Sequence, residues 1–95
     1  MASYKTSPVA EQDLIDIYIC GFHKWGEKQA DDFQRQLIST FRLRAENPGL
    51  GRSVTIRPQL QRHDIAPYVI FYRKFSYGVR IARILYKNRA MERHL

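Results

Sequence analysis

Two octads near one end of the chain, YVIFYRKF (68–75) and VRIARILY (79–86), flank the tripeptide Ser76-Tyr77-Gly78. Both are rich in β-branched and aromatic residues and read as strands. The three residues between them join the strands as a tight antiparallel hairpin, with Gly78 able to take a positive φ. A hairpin of this length needs something to cover at least one face. Strict alternation puts Val79, Ile81, Arg83 and Leu85 on one side of the second strand, and Arg80, Ala82, Ile84 and Tyr86 on the other. Apolar residues fall on both sides, so the face turned from the cover is expected to be a docking face.

The cover lies upstream. Ser7 followed by Pro8 is a helix-start signal, a capping hydroxyl and then a proline whose missing N–H costs nothing in the first turn. Ala10, Leu14, Ile17, Tyr18, Gly21, Phe22 and Trp25 then recur at three- and four-residue steps, one apolar face of a helix running to about Gly26. Glu11, Asp13 and Asp16 near its start and Lys24 near its end suit the helix dipole. A second helix presents Ala30, Phe33, Leu37, Ile38, Phe41 and Ala45. The short break at Gly26 folds the two back as a helical hairpin. ENPGLGR ends it, because Pro48 cannot extend a helix and Gly49 and Gly51 supply turns. Residues 3–7 read as a weak edge strand, and a further strand is expected between Arg57 and Ile65, with Pro58 arguing against a central place in the sheet. The expected fold is α+β: an N-terminal edge strand, then a helical hairpin packed on a small antiparallel sheet.

Ninety-five residues make one small domain spanning 1–95, with a thin core that a partner could stabilise. No apolar run approaches the ~18 residues of a membrane span. The first residues lack the layout of a signal peptide, and the one cysteine cannot form an internal disulfide, so the expected compartment is the cytoplasm. Charge is uneven. Residues 1–51 carry six basic and seven acidic side chains, whereas residues 52–95 carry ten basic ones against Asp64 and Glu92. That imbalance points to an acidic partner, either nucleic acid or protein.

Several short motifs occur in a telling order: Asp13-Leu14, Ile17-Tyr18, Trp25-Gly26, Gln29-Ala30, then NPGLGR from Asn47 to Arg52, Arg57-Pro58, Leu60, Arg62, YVIFYR from Tyr68 to Arg73, and GVRIARIL from Gly78 to Leu85. In order and spacing the chain resembles the ParE toxins of bacterial type II toxin–antitoxin modules, within the wider RelE/ParE superfamily. The resemblance implies the fold already described and a ParD-type antitoxin whose C-terminal segment wraps the toxin. It implies DNA gyrase as the target, trapped in its cleaved-DNA state, with DNA close by, no membrane and no cofactor. On this reading Arg80, Arg83, Tyr86, Lys87, Arg89 and Arg93 contact gyrase, and Leu14, Ile17, Tyr18, Phe71 and Arg73 contact the antitoxin. Two positions depart from the family's pattern. Tyr86 stands where a histidine is common, and Ala90 where an aspartate is.

The residues leave two other functions open. A RelE-type ribosome-dependent ribonuclease needs a base, cations for the developing charge and an acid for the leaving oxygen. Arg73, Arg80, Arg83 and Lys87 could supply charge, and Tyr86 or His94 could move protons. A nucleic-acid-binding module without toxicity would use the basic half with Tyr68, Phe71, Tyr72, Phe75 and Tyr77 interleaved. No catalytic residue is assigned. Nor is a metal site, since Cys20 and His23 on the first helix and the His63-Asp64 dipeptide lack the remaining ligands.

Overall fold

In a computed structural model of the chain, residues 3–47, 52–53 and 59–88 are described, with the side chains of 52 and 53 left aside. The order is β1 (Ser3–Thr6), α1 (Pro8–Trp25), α2 (Glu27–Glu46), β2 (Arg52–Ser53), β3 (Leu60–Ile65), β4 (Tyr68–Phe75) and β5 (Gly78–Tyr86). The sheet runs β1-β5-β4-β3-β2. β2 to β5 are antiparallel neighbours, but β1 joins the edge of β5 in parallel, so the sheet is mixed.

Local chemistry accounts for these boundaries. The Ser7 hydroxyl accepts the Ala10 N–H at 3.0 Å as N-cap and donates to the Ala82 carbonyl at 2.8 Å. One side chain thus starts α1 and ties that start to β5. Gly26, at φ 89°, is the whole link between the helices. The Tyr18 hydroxyl then bridges them, donating to Asp31 at 2.7 Å. The helical hairpin lies on one face of the sheet. Ala10, Ile17, Leu37, Phe41 and Ala45 pack there against Ile65, Ile70, Tyr72, Val79, Ile81 and Ile84. Each large apolar side chain buried this way contributes about 1.5–3 kcal/mol.

The expected alternation along β5 does not hold. Phe71 pairs with Arg83 while its neighbour Tyr72 pairs with Ile81, which leaves Ala82 as an extra residue. This β-bulge moves every later side chain across the sheet. Val79, Ile81 and Ile84 consequently share the helix-side core, whereas Ala82 and Leu85 pack on the far face with Leu60, Val69 and Phe71. The bulge sits where Ser7 holds the Ala82 carbonyl. The first helix also departs from expectation, because Phe22 and Trp25 are exposed rather than part of the buried stripe.

Candidate functional site

Arg83 is the best-anchored cation of the last strand. Its Nε and Nη2 donate to the two carboxylate oxygens of Asp13 on α1 at 2.9 and 3.1 Å, and the Ile84 N–H donates to the same carboxylate at 3.0 Å. Asp13 therefore stitches the first helix to β5 just past the bulge. The functional expectation for Arg83 meets a structural role at this point.

Of the other predicted target residues, Arg80, Tyr86 and Lys87 lie on open surface. Arg80 is exposed and faces Arg73 across the β4–β5 ladder. Tyr86 is exposed, with its ring edge-on to Tyr68 at 5.6 Å. Lys87 donates to Asp64 at 3.1 Å, and Arg62 holds the other oxygen of the same carboxylate. Burial pushes the Asp64 carboxyl up, but hydrogen bonds from Lys87 and Arg62 outweigh it and hold the group below its ordinary range. Arg89, Arg93 and His94 lie outside the described residues, as do Pro48 to Gly51, Arg57 and Pro58.

The predicted antitoxin residues divide. Ile17 and Phe71 are buried, in the helix-side core and on the far face respectively. Leu14 is half-buried against the core, and Tyr18 is half-buried and bonded to Asp31. Arg73 is exposed. What sequence reasoning missed is an exposed apolar stripe on α1, made of Ile15 and Ile19 together with residues it had assigned to the buried face. Ile15, Ile19, Phe22 and Trp25 are 52%, 50%, 44% and 61% exposed; the first three share one side of the helix, and Trp25 stands round towards the groove between the helices. Ile15, Ile19 and Phe22 repeat at four and three residues, a signal legible in the sequence. Beside this stripe a groove of about 350 Å³ runs between the helices and the β3–β4 turn, lined by Ile17, Tyr18, Trp25, Phe33, Pro67 and Tyr68.

His63 and Asp64 do not form a joint site, because they point to opposite faces of β3. His63 Nδ1 accepts a hydrogen bond from Arg44 of α2. Arginine can only donate, so the imidazole is neutral with its proton on Nε2. Burial, and then the Arg44 charge, lower the His63 pKa, with Asp64 opposing more weakly. The unfolded state therefore binds the proton more readily. Stability from this contact is full above the ordinary imidazole value of about 6.5 and is lost as pH falls towards the lowered value. The thermal midpoint should fall over that window, and His63→Gln should reduce the pH slope; an unchanged slope in the variant would refute the assignment. Among the described residues no cluster of three metal-ligating side chains occurs, and no helix is long and apolar enough to cross a membrane.

The molecule is thus a small basic α+β protein, a helical hairpin on a bulged sheet, with apolar side chains exposed on α1 and cations exposed on the sheet. Comparisons with known proteins then place it. The family model of the ParE toxin of the type II toxin–antitoxin system, parDE, matches residues 4–91, and the chain belongs to that family. It is 34% identical over 96 residues to Toxin ParE1 of Caulobacter vibrioides, covering 100% of this chain and 99% of the relative. It is 31% identical over 94 residues to Toxin ParE1 of Mycobacterium tuberculosis, covering 97% and 96%. A solved structure described as the chromosomal ParDE TA system from P. aeruginosa matches with a TM-score of 0.79 at 22% identity, over 93% of this chain and 98% of that one. This last likeness confirms the fold.

Proposed function

We propose that this ParE-family toxin stops growth in the cytoplasm by inhibiting DNA gyrase, without bond-breaking chemistry of its own, and that a ParD-type antitoxin neutralises it. Membership of the family along nearly the whole chain supports the toxin reading. The observation that carries the antitoxin half is the unpartnered apolar stripe of α1 with the groove beside it. A soluble chain has little reason to expose four large apolar side chains together except to have them covered. Tyr18 and the stripe are then the antitoxin's contacts, with Leu14 and Ile17 supporting them from beneath. Arg80, Tyr86 and Lys87, with Arg89 and Arg93 beyond them, form the target surface. Arg83 positions that surface by fixing β5 to α1.

The test uses purified gyrase with plasmid DNA and, separately, translating ribosomes. Loss of supercoiling with accumulation of cleaved DNA is expected, and intact mRNA. Codon-specific mRNA cleavage with gyrase unaffected would overturn the reading in favour of the ribonuclease. Cognate antitoxin at a thousandfold excess over its dissociation constant should add about 4 kcal/mol of stability. Ile15→Asp with Ile19→Asp should abolish that gain while the free protein stays folded, because both side chains are already half in water and outside the core. A full gain in the variant would place the antitoxin elsewhere.

A further inference from the structure

The face of the sheet away from the helices carries three cations in register. Lys5 of β1 lies opposite Arg80 of β5, and Arg80 lies opposite Arg73 of β4. Their chain neighbours Tyr4, Val79 and Tyr72 belong to the helix-side core, so alternation sends Lys5, Arg80 and Arg73 to the far face. Strands lie about 4.8 Å apart, which puts the three backbone positions within roughly 10 Å. Like charges directly opposite one another destabilise a sheet.

Three other cations on or beside the strands are balanced by carboxylates. Arg62 and Lys87 share Asp64, and Arg83 holds Asp13. The three in the row are exposed and form no ion pair with a carboxylate of the described residues. Their charge is therefore not answered by any carboxylate of the described residues.

Beside the row lies an aromatic pair. The Phe75 and Tyr77 rings stack at 5.5 Å with 4° between their planes, and Lys5 Nζ sits 4.7 Å from the centre of the Tyr77 ring. Phe75 is two residues on from Arg73, on the same face, and exposed. Across from it in the ladder is Gly78, which has no side chain to crowd the ring.

We propose that Lys5, Arg80 and Arg73 grip the phosphates of single-stranded nucleic acid, with Phe75 as the platform for a base. A cationic track flanked by an aromatic ring is how single strands are held without sequence preference. A duplex keeps its bases stacked on one another and has no use for the ring. An acidic peptide would use the cations but not the platform. The proposal concerns the free protein and does not depend on gyrase being the target.

Binding of a labelled oligothymidylate, followed by fluorescence anisotropy across a salt series, tests it. Three phosphate contacts predict a slope of log K against log salt of about −2, at roughly −0.7 per contact. Lys5→Gln, Arg73→Gln and Arg80→Gln together should remove most of the affinity and flatten the slope. The thermal midpoint of that variant should be unchanged or raised, because a repulsion is relieved. Phe75→Ala should weaken binding roughly 5- to 150-fold with the slope preserved. A charge-matched variant on the helices, Lys24→Gln with Lys28→Gln and Arg42→Gln, should bind as the parent does. Equal loss in the helix variant would overturn the proposal, as would a silent Phe75→Ala or tighter binding of a duplex. Competition by polyglutamate as strong as by the oligonucleotide would assign the row to an acidic protein instead.

Discussion

Replacing Gly78 by alanine is expected to strip β1 from the sheet and lower stability by about 3–4 kcal/mol, a loss at the upper end for a single substitution. A Cβ at Gly78 would stand 2.0 Å from the Ser3 carbonyl oxygen, with the Ser3 carbonyl carbon and nitrogen at 3.0 Å. These are backbone atoms and cannot swing aside as a side chain would. Gly78 also sits at φ 141°, a region that L side chains avoid at a cost of about 1–3 kcal/mol. Relief requires β1 to leave, which forfeits its pairing with β5, the Ser3-to-Tyr77 hydrogen bond and the packing of Tyr4 on Phe41. For a domain of this size each kcal/mol moves the thermal midpoint by about 4–8 °C, so a fall of roughly 12–30 °C is expected. Amide exchange should locate the damage at residues 3–6. Gly26→Ala is the matched control. Its φ of 89° is also positive, but nothing lies within 4 Å of the added carbon, so only the backbone cost of about 1–3 kcal/mol is expected, with β1 left in place. Equal losses at the two glycines would show that β1 does not pass Gly78 this closely.

The features that could be read from the sequence are those decided within a few residues. Ser7-Pro8 specifies the start of α1 by local hydrogen bonding, and the periodicity of α2 identifies Ala30, Leu37, Phe41 and Ala45 as its buried face. The hairpin follows from strand propensity around a glycine. The bulge could not be read in the same way. Ala82 is an ordinary strand residue, and nothing beside it marks an insertion. What coincides with it is a contact 75 residues away, the Ser7 hydroxyl on the Ala82 carbonyl. Pattern along one strand cannot report which carbonyl a distant side chain will hold, so each residue after Ala82 was expected on the wrong face.

The candidate site was legible by composition but not by place. The excess of cations in residues 52–95 is real, yet the row on the sheet recruits Lys5 from the other half of the chain through parallel pairing of β1. Conversely Arg83, Lys87 and Arg62 count towards the excess but are engaged by Asp13 and Asp64. Net charge over a segment says that a polyanion could be attracted; only register says which charges stand together and which are already answered. The α1 stripe shows a similar limit. Apolar residues on two sides of one helix compete in a periodicity reading: the expected face runs through Ala10, Leu14, Ile17, Tyr18, Gly21, Phe22 and Trp25, of which Phe22 and Trp25 are exposed, and it leaves out Ile15 and Ile19.

Asp13→Ala is expected to cost about 2–3 kcal/mol and to separate the structural role of Arg83 from any role in target contact. The Asp13 side chain is 12% exposed and that of Arg83 26%, so the pair is partly screened and falls short of the 3–5 kcal/mol lost when a fully buried pair is broken. Two consequences add. The Arg83 guanidinium loses two charge-assisted hydrogen bonds, and the Ile84 N–H loses its acceptor at the strand edge beyond β1. Asp13→Asn keeps one oxygen for these donors and should lose about half as much. Removing both charges, as Asp13→Leu with Arg83→Met, leaves no unpaired ion and should recover much of the stability, with a coupling of about 1–2 kcal/mol in the double-mutant cycle. The paired variant then decides the function. If gyrase is the target as proposed and Arg83 acts by anchoring β5 to α1, the refolded double variant inhibits gyrase nearly as the parent does, while Arg80→Gln in the same background weakens it. If Arg83 reaches the target itself, the double variant folds and is inert, and the guanidinium must leave Asp13 to do its work.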